Sequence, residues 1–415
     1  MYKLNKINFI LLLITTVEVL SLTPVQILQR NSVAQDWIPI IEDQLSPWDN
    51  GISLSLIDKT FNHYGSHIIF QYINGRLYIN DPKGYCLCNR TPVINLTFEF
   101  HYNRCVAMQS ILEETIKHNI NILDPLPDFE FVWSLDDFPY WNTHKMYTND
   151  IQYKGKNFYP GFGAIRCWSK GTLTLPFYGS HGQWHINTFE STLIKKQKEY
   201  ILFNEKNGNA IFRGGVDRGC SFERDTIIDY EPNKFPTHTN SNCGRYLLLN
   251  FSKKYPLLID YHGPNDTYMS IEEQGRLYKY VLSVEGWGSW ADRLSLLISQ
   301  ENMVVIDQEH LCDQWFEPLL KPFVHYIPTA HDFRNLPARI IWANNHKNTV
   351  KQILNEAKRF TNKYLLKEGI LTYVRTYLSL YIKKINYNVS IRKDSTDIKI
   401  LNNKEQLKTF CIKKV

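Results

Sequence analysis

The stretch Lys279-Tyr280-Val281-Leu282-Ser283-Val284-Glu285-Gly286-Trp287-Gly288-Ser289-Trp290-Ala291-Asp292-Arg293-Leu294 decides the fold. An apolar, strand-like run ends in a Gly/Ser turn and leads into a helical pattern beginning at Arg293. Strand, turn and helix in that order make a βα unit. Its turn presents backbone N–H groups to an anion at the positive end of the helix. An arginine beside it adds charge-assisted contacts to phosphate oxygens. Gly286, Trp287, Gly288, Ser289, Trp290 and Arg293 are therefore a candidate phosphate site, although an ordinary strand-to-helix turn has the same pattern.

Outward from this stretch, strands and helices alternate. Residues 210–212 form a short strand running into Arg213-Gly214-Gly215, and 257–260 and 303–306 are further strands. Such alternation argues an α/β protein with parallel sheets. Upstream, 49–53 reads as a turn into a helix, and 68–78 as a hairpin turning at Asn74-Gly75. Residues 110–122 read as a helix and 129–134 as a strand, with Asp136-Asp137 just beyond its carboxyl end. The Pro- and Ser-containing stretch 24–50 reads as irregular. From Val350, an apolar face recurs at helical spacing through Ile353, Leu354, Ala357, Phe360 and Tyr364, with Asn348 as a cap. Gly369 interrupts it, and Val374, Tyr377, Leu378 and Tyr381 resume it. Beyond Lys383 the chain is polar and Lys-rich, as in a surface tail.

The 415 residues suffice for two domains, and 43% hydrophobic with 21% charged residues marks a globular chain. A net charge of +6 suits an anionic ligand but is too modest to argue for nucleic acid. Lys3 and Lys6 precede an apolar run over 9–22, broken by Thr15, Thr16 and Glu18. This reads as a secretory signal, 1–23, too short and too polar for a comfortable membrane span; a signal anchor is the alternative. The eight cysteines, Cys86, Cys88, Cys105, Cys167, Cys220, Cys243, Cys312 and Cys411, fit an oxidising lumen without fixing a pairing. Cys86 and Cys88 lack a second Cys/His pair at zinc-finger spacing, so no metal site is read there. Sequons at Asn89, Asn95, Asn250, Asn265 and Asn388 are compatible with a glycosylated luminal protein.

Three blocks occur in a telling order. The first is Ser134-Leu135-Asp136-Asp137-Phe138-Pro139. The second is Phe212-Arg213-Gly214-Gly215-Val216-Asp217-Arg218, followed by Ser221-Phe222-Glu223-Arg224-Asp225. The third joins Tyr278-Lys279-Tyr280, Glu285-Gly286 and Arg293 to Lys321-Pro322-Phe323-Val324-His325-Tyr326-Ile327-Pro328. Together they resemble the Rumi-type protein O-glucosyltransferases, the wider family that includes fungal capsule-associated xylosyltransferases. The resemblance spans about 45–380.

That resemblance implies a GT-B architecture, two Rossmann-like lobes facing each other across a cleft. An acceptor-side lobe would hold 24–205 and a nucleotide-sugar lobe 206–350. Helices over 351–382 would pack back on the first lobe, and 383–415 would be a basic tail. It also implies a luminal, inverting, metal-independent transferase. Glucose or xylose would pass from UDP-glucose or UDP-xylose to a Ser or Thr hydroxyl on a folded secretory domain, such as an EGF-like repeat. The UDP-sugar is the donor substrate; no cofactor, nucleic acid or stable membrane span is expected. Location in the endoplasmic reticulum lumen is implied, with the Golgi or secretion open because Cys411-Ile412-Lys413-Lys414-Val415 is not a Lys-Asp-Glu-Leu type signal. A polysaccharide xylosyltransferase and an inactive, client-binding family member are the alternatives.

Glycosyl transfer requires a base for the acceptor proton and stabilisation of the departing diphosphate. The resemblance assigns the base to Asp137; on the residues alone, Asp136-Asp137 also suits a turn cap or a metal-binding pair. The family usually has Arg before this Asp, and here Asp136 stands there. Arg218 matches the family's diphosphate arginine but follows two extra residues, Val216 and Asp217, which leaves Arg213 as the fallback. Ser221 is a hydrogen-bonding candidate for the nucleotide, and Glu223-Arg224-Asp225 reads as a structural network. The interval from Gly286 to Arg293 is about one residue longer than in the family pattern. His325 and Tyr326 read as part of a shaped structural segment.

Overall fold

The computed structural model describes residues 24–62, 67–87, 96–118, 125–135, 159–167, 172–176, 202–216, 244–263, 268–286, 293–300, 302–309, 312–403, 405–407 and 411. The chain enters on helix α1 (Pro24–Leu45), where an irregular segment was expected. Val33, Ala34, Trp37, Ile41 and Leu45 share a buried stripe at helical spacing. Proline at the first position suits a helix start, and the interior Pro39 had hidden the period. Helix α2 (Leu54–Phe61) is capped by Ser53, whose hydroxyl accepts from the Leu56 N–H at 3.3 Å.

Strands β1 (His67–Ile73) and β2 (Arg76–Asn80) form the expected hairpin. Asn74 and Gly75 both have positive φ, 49° and 78°, as a tight two-residue hairpin turn demands. Helix α3 (Leu96–Lys117) precedes β3 (Phe129–Ser134), and short strands β4 (Gly161–Gly163), β5 (Ile165–Cys167) and β6 (Thr172–Thr174) follow. The second half contains β7 (Asn207–Ile211), α4 (Gly244–Lys254), β8 (Ile259–Asp260), α5 (Ile271–Leu277), β9 (Tyr278–Ser283) and α6 (Leu294–Ile298). Then come β10 (Val304–Gln308), β11 (Cys312–Gln314), β12 (Ile327–Thr329), α7 (Leu336–Asn345), α8 (Lys347–Phe360), α9 (Lys367–Ile382) and β13 (Ser395–Asp397).

The second sheet, in order β12-β10-β9-β7-β8, is parallel throughout. Counted within the sheet this is a 2-1-3-4-5 doubly wound order. Its strands are covered on both faces. Ala210, Tyr280, Leu282, Val304 and Ile306 pack with Leu248 of α4 and with Leu336, Ile340 and Ala343 of α7. The alternate residues Ile211, Val281 and Val305 pack with Leu294, Leu297 and Ile298 of α6. Two covered faces explain why these strands read as apolar runs rather than alternating ones.

The first sheet departs from a Rossmann pattern. Its order is β13-β2-β1-β3-β4-β6, with β13, β2, β1 and β3 antiparallel and only β3, β4 and β6 parallel. The α/β class is as read from the sequence, but this sheet is mixed. Helix α9 packs on α1 and α3. Its fully buried Tyr373, Tyr377 and Tyr381 reach Thr174 O at 2.7 Å, Gln44 Oε1 at 2.8 Å and Glu130 O at 3.3 Å. A π-helical turn, Thr361–Leu365, joins α8 to α9. The helical run breaks at the extended Leu366, and Gly369 lies in the first turn of α9, where a Cβ would lie 2.5 Å from the Lys363 carbonyl oxygen.

Over residues 384–403 the basic stretch beyond Lys383 is not a surface tail. Its strand β13 pairs with β2, Ile398 and Leu401 are buried, and Arg392 forks onto Glu130 Oε1 and Oε2, both at 2.8 Å. Lysines on the exposed side had masked these anchors. Cys86 and Cys105 form a disulfide with Cα atoms 6.0 Å apart, and Cys312 and Cys411 are each engaged in a disulfide of their own. Among the described residues, no helix is long and apolar enough to cross a membrane.

Candidate functional site

In the 2-1-3-4-5 order the chain leaves β7 toward β8 on one side and returns to β9 on the other. That places a topological switch point between β7 and β9, and ligands of such sheets bind beyond the strands' carboxyl ends there. The residues at this edge are Phe212 to Val216 after β7 and Val284 to Gly286 after β9. Both segments come from the blocks singled out in the sequence.

Phe212 is fully buried and lies edge-on to Tyr261, with centroids 5.0 Å apart. Two guanidinium groups sit over its ring, Arg293 at 5.1 Å and Arg245 at 5.4 Å. Cation–π attraction strengthens when both partners are partly withdrawn from water, as here. Arg293 Nη1 also donates to the Arg213 carbonyl at 2.7 Å, tying the start of α6 to the end of β7. Gly214 makes this approach possible. A Cβ there would lie 2.9 Å from Phe212 Cζ and 3.2 Å from Arg293 Nη2.

Across the crevice, Glu285 is buried at the end of β9, and its N–H donates to Gln308 Oε1 at 3.0 Å. Gln308 Nε2 donates in turn to the His331 carbonyl at 2.7 Å. The loops after β9, β10 and β12 are thereby locked together. His331 Nδ1 is 3.7 Å from Glu285 Oε1. Arg245, in the first turn of α4, donates from Nε to the Glu285 carbonyl at 3.2 Å and from Nη1 to the Gly215 carbonyl at 2.9 Å. One side chain spans the switch point. No motif marked Arg245 in the sequence; its signal is its place in the helix that follows the first strand of the sheet.

Sequence candidates fare unevenly. Gly286 follows the end of β9 at this edge, and Arg293 reaches the Arg213 carbonyl beside it. Helix α6 has only five residues, so its dipole is weak, and positive charge here rests chiefly on the guanidinium groups. Arg213, the fallback diphosphate ligand, is engaged elsewhere: Nη2 lies 2.9 Å from Asp260 Oδ1 and Nη1 2.9 Å from the Asp260 carbonyl. Asp260 also accepts from the Tyr278 hydroxyl, whose pKa is pushed up to about 12 by burial and then by this carboxylate. Arg213 is thus a brace between the ends of β7 and β8.

His325 and Tyr326 precede β12 and so lie toward the amino ends of the parallel strands, opposite the candidate edge. His325 Nδ1 accepts from the Lys321 N–H at 3.0 Å, and its ring packs on Phe360. Asp137, Arg218, Ser221, Trp287, Gly288, Ser289 and Trp290 lie outside the described residues, as does Asp136. The strand before Asp137 is well anchored: buried Arg104 of α3 donates to the carbonyl of Leu135. Among the described residues, no group of three or more His, Cys, Asp or Glu side chains is placed to hold a metal ion.

Comparison with known proteins gives a family match and three similar relatives. The family model described as glycosyl transferase family 90 matches residues 29–413. Human protein O-glucosyltransferase 1 is 24% identical over 376 residues, covering 85% of this chain and 81% of the human protein. The Aedes aegypti O-glucosyltransferase rumi homolog is 23% identical over 382 residues, covering 84% and 78%. The Invertebrate iridescent virus 6 protein named "Uncharacterized protein 179R" is 28% identical over 195 residues, which is 41% of this chain but 16% of the viral protein. These matches agree with the resemblance carried by the three ordered sequence blocks.

Proposed function

The chain belongs to glycosyl transferase family 90, and from that premise we propose that it is an inverting, metal-independent protein O-glycosyltransferase of the secretory-pathway lumen. It would move glucose, or xylose, from a UDP-sugar to a Ser or Thr hydroxyl on a folded domain such as an EGF-like repeat. The observation that carries this reading is Arg293 at the switch point of a doubly wound sheet, beside Gly214 and bonded to the Arg213 carbonyl. The printed names of the human and mosquito relatives favour glucose and a protein acceptor. The two sheets would form the lobes of a GT-B enzyme.

Asp137 takes the acceptor proton. The acceptor oxygen then bonds to the anomeric carbon as the bond from that carbon to the β-phosphate oxygen breaks. UDP departs with the electron pair, and a single in-line displacement inverts the anomeric configuration. Arg293, Arg218 and backbone N–H groups of the Gly286 to Ser289 turn stabilise the departing diphosphate, with Ser221 hydrogen-bonding the nucleotide. Guanidinium groups and amides supply the positive potential that other transferases draw from a divalent ion.

The test is transfer by the purified protein from UDP-glucose and UDP-xylose, separately, to folded EGF-like repeats, with EDTA and Asp137→Asn in parallel. EDTA-resistant transfer that is lost in the variant supports the reading and identifies the donor. Transfer abolished by EDTA and restored by a divalent ion removes the metal-free mechanism. Transfer surviving Asp137→Asn removes Asp137 as the base. Absence of both transfer and UDP binding overturns the reading.

A further inference from the structure

Arg245 is 6% exposed, and its guanidinium reaches carbonyls on both sides of the switch point, Gly215 O at 2.9 Å and Glu285 O at 3.2 Å. A trans peptide is planar, with its C=O and N–H pointing in opposite directions. Holding the Gly215 carbonyl therefore turns the Val216 N–H away from Arg245. Holding the Glu285 carbonyl turns the Gly286 N–H away in the same manner. Arg293 does the same for a third peptide, since its bond to the Arg213 carbonyl, at 2.7 Å, orients the Gly214 N–H. Both arginines share the Phe212 ring, so their placements are mechanically linked. The Val216 and Gly286 N–H groups, from the two segments that flank the switch point, are thereby left to an anion lying beyond the strand ends.

We propose that Arg245 is a positioning residue for the donor diphosphate: it holds the Gly215–Val216 and Glu285–Gly286 peptides with their N–H groups toward the crevice and keeps Arg293 in register with them. The inference rests on the UDP-sugar reading above and assigns a device to it. The Arg245 guanidinium reaches the two carbonyls from separate nitrogens, Nε and Nη1, in a fixed planar geometry that the single ammonium nitrogen of lysine cannot reproduce. Arg245→Lys preserves charge and much of the buried stem while removing the bridge.

The experiment measures UDP affinity by calorimetry, and uridine affinity by competition, for the wild type, Arg245→Lys, Arg245→Met, Arg293→Met and the Arg245→Met/Arg293→Met double variant. Expected are about tenfold weaker UDP binding in Arg245→Lys, under about twofold change for uridine, and a double variant no weaker than Arg293→Met alone. In transfer assays Arg245→Lys should raise the donor KM and lower kcat, because the N–H groups it orients also stabilise the departing diphosphate. Equal loss of UDP and uridine affinity would show a merely structural role and overturn the inference. Wild-type UDP affinity in Arg245→Lys, or additive losses in the double variant, would overturn it too. Should Arg245→Met fail to fold, Arg245→Lys and an Arg245→Lys/Arg293→Met pair carry the same test. Absence of UDP binding by the wild type would instead strike the UDP-sugar reading itself.

Discussion

Arg293 Nη1 lies 2.7 Å from the carbonyl of Arg213, 80 residues earlier in the chain, and this bond joins the first helix turn after one loop to the strand end beside it. Arg213 itself faces the other way, toward Asp260. Two arginines drawn from neighbouring sequence blocks therefore do different work. One stays at the crevice and the other braces the sheet.

The Gly214→Ala substitution tests how closely that arrangement is packed. The added methyl would meet Phe212 Cζ at 2.9 Å and Arg293 Nη2 at 3.2 Å. Phe212 is locked in the core, so the contact with its ring strains the end of β7, while Arg293 is pushed aside. UDP affinity should fall about tenfold and stability by about 1–3 kcal/mol. Calorimetry and urea unfolding on the same sample check this, and unchanged UDP affinity would refute it.

Arg392 tests whether the C-terminal region is anchored to the first sheet. It bonds both oxygens of Glu130 at 2.8 Å and Asp58 Oδ1 at 2.7 Å, with Glu130 only 2% exposed at its side chain. Arg392→Met leaves a buried carboxylate without its cation, at a cost of about 3–5 kcal/mol. Adding Glu130→Gln should recover part of that loss, and denaturant midpoints of the single and double variants measure it. A loss below about 1 kcal/mol would mean that the ion pair does not anchor this region.

Acid sensitivity should pass through His118. Burial, and then the positive charges of Arg30, Arg375 and Lys367, push its pKa down to about 3 from 6.5. Its Nε2 lies 2.9 Å from the Thr372 hydroxyl. The unfolded chain binds this proton below about pH 6.5 and the folded one does so only near pH 3, so stability falls as pH falls through that window. The contribution lost by about pH 5 is on the order of 2 kcal/mol. His118→Gln should flatten the stability profile between about pH 7.5 and pH 5; an unaltered slope would place acid sensitivity elsewhere.

Two sequons fall among the described residues. Asn388 is exposed and lies between α9 and β13, with Ser390 also exposed. Asn250 is exposed on α4, but the Ser252 hydroxyl of its sequon is buried and donates to the Leu249 carbonyl at 2.8 Å. An exposed, non-helical sequon fits the modifying enzyme better than a helical one with an engaged hydroxyl. On secretory expression, Asn388 should carry glycan and Asn250 should not. Peptide mapping after glycosidase treatment reads this directly, and a glycan on Asn250 alone would contradict it.

The α/β class, the hairpin at Asn74-Gly75 and the buried strand 129–134 were legible because each depends on local chemistry: periodicity, turn residues and apolar runs. Arg293 was legible for the same reason, as the residue opening the next helix. The helical state of 24–45 was hidden by its prolines, and the place of 383–403 by its lysines, since composition does not report which side chains find partners across the sheet. Pairing was decided by the tertiary structure alone. Sequence proximity made Arg213 a rival phosphate ligand until Asp260, 47 residues away, was found to hold it. Arg245 carried no signature because its importance lies in two carbonyls brought within reach by the strand order. Local free energies write themselves into neighbouring residues, whereas a switch point exists only once distant strands lie side by side.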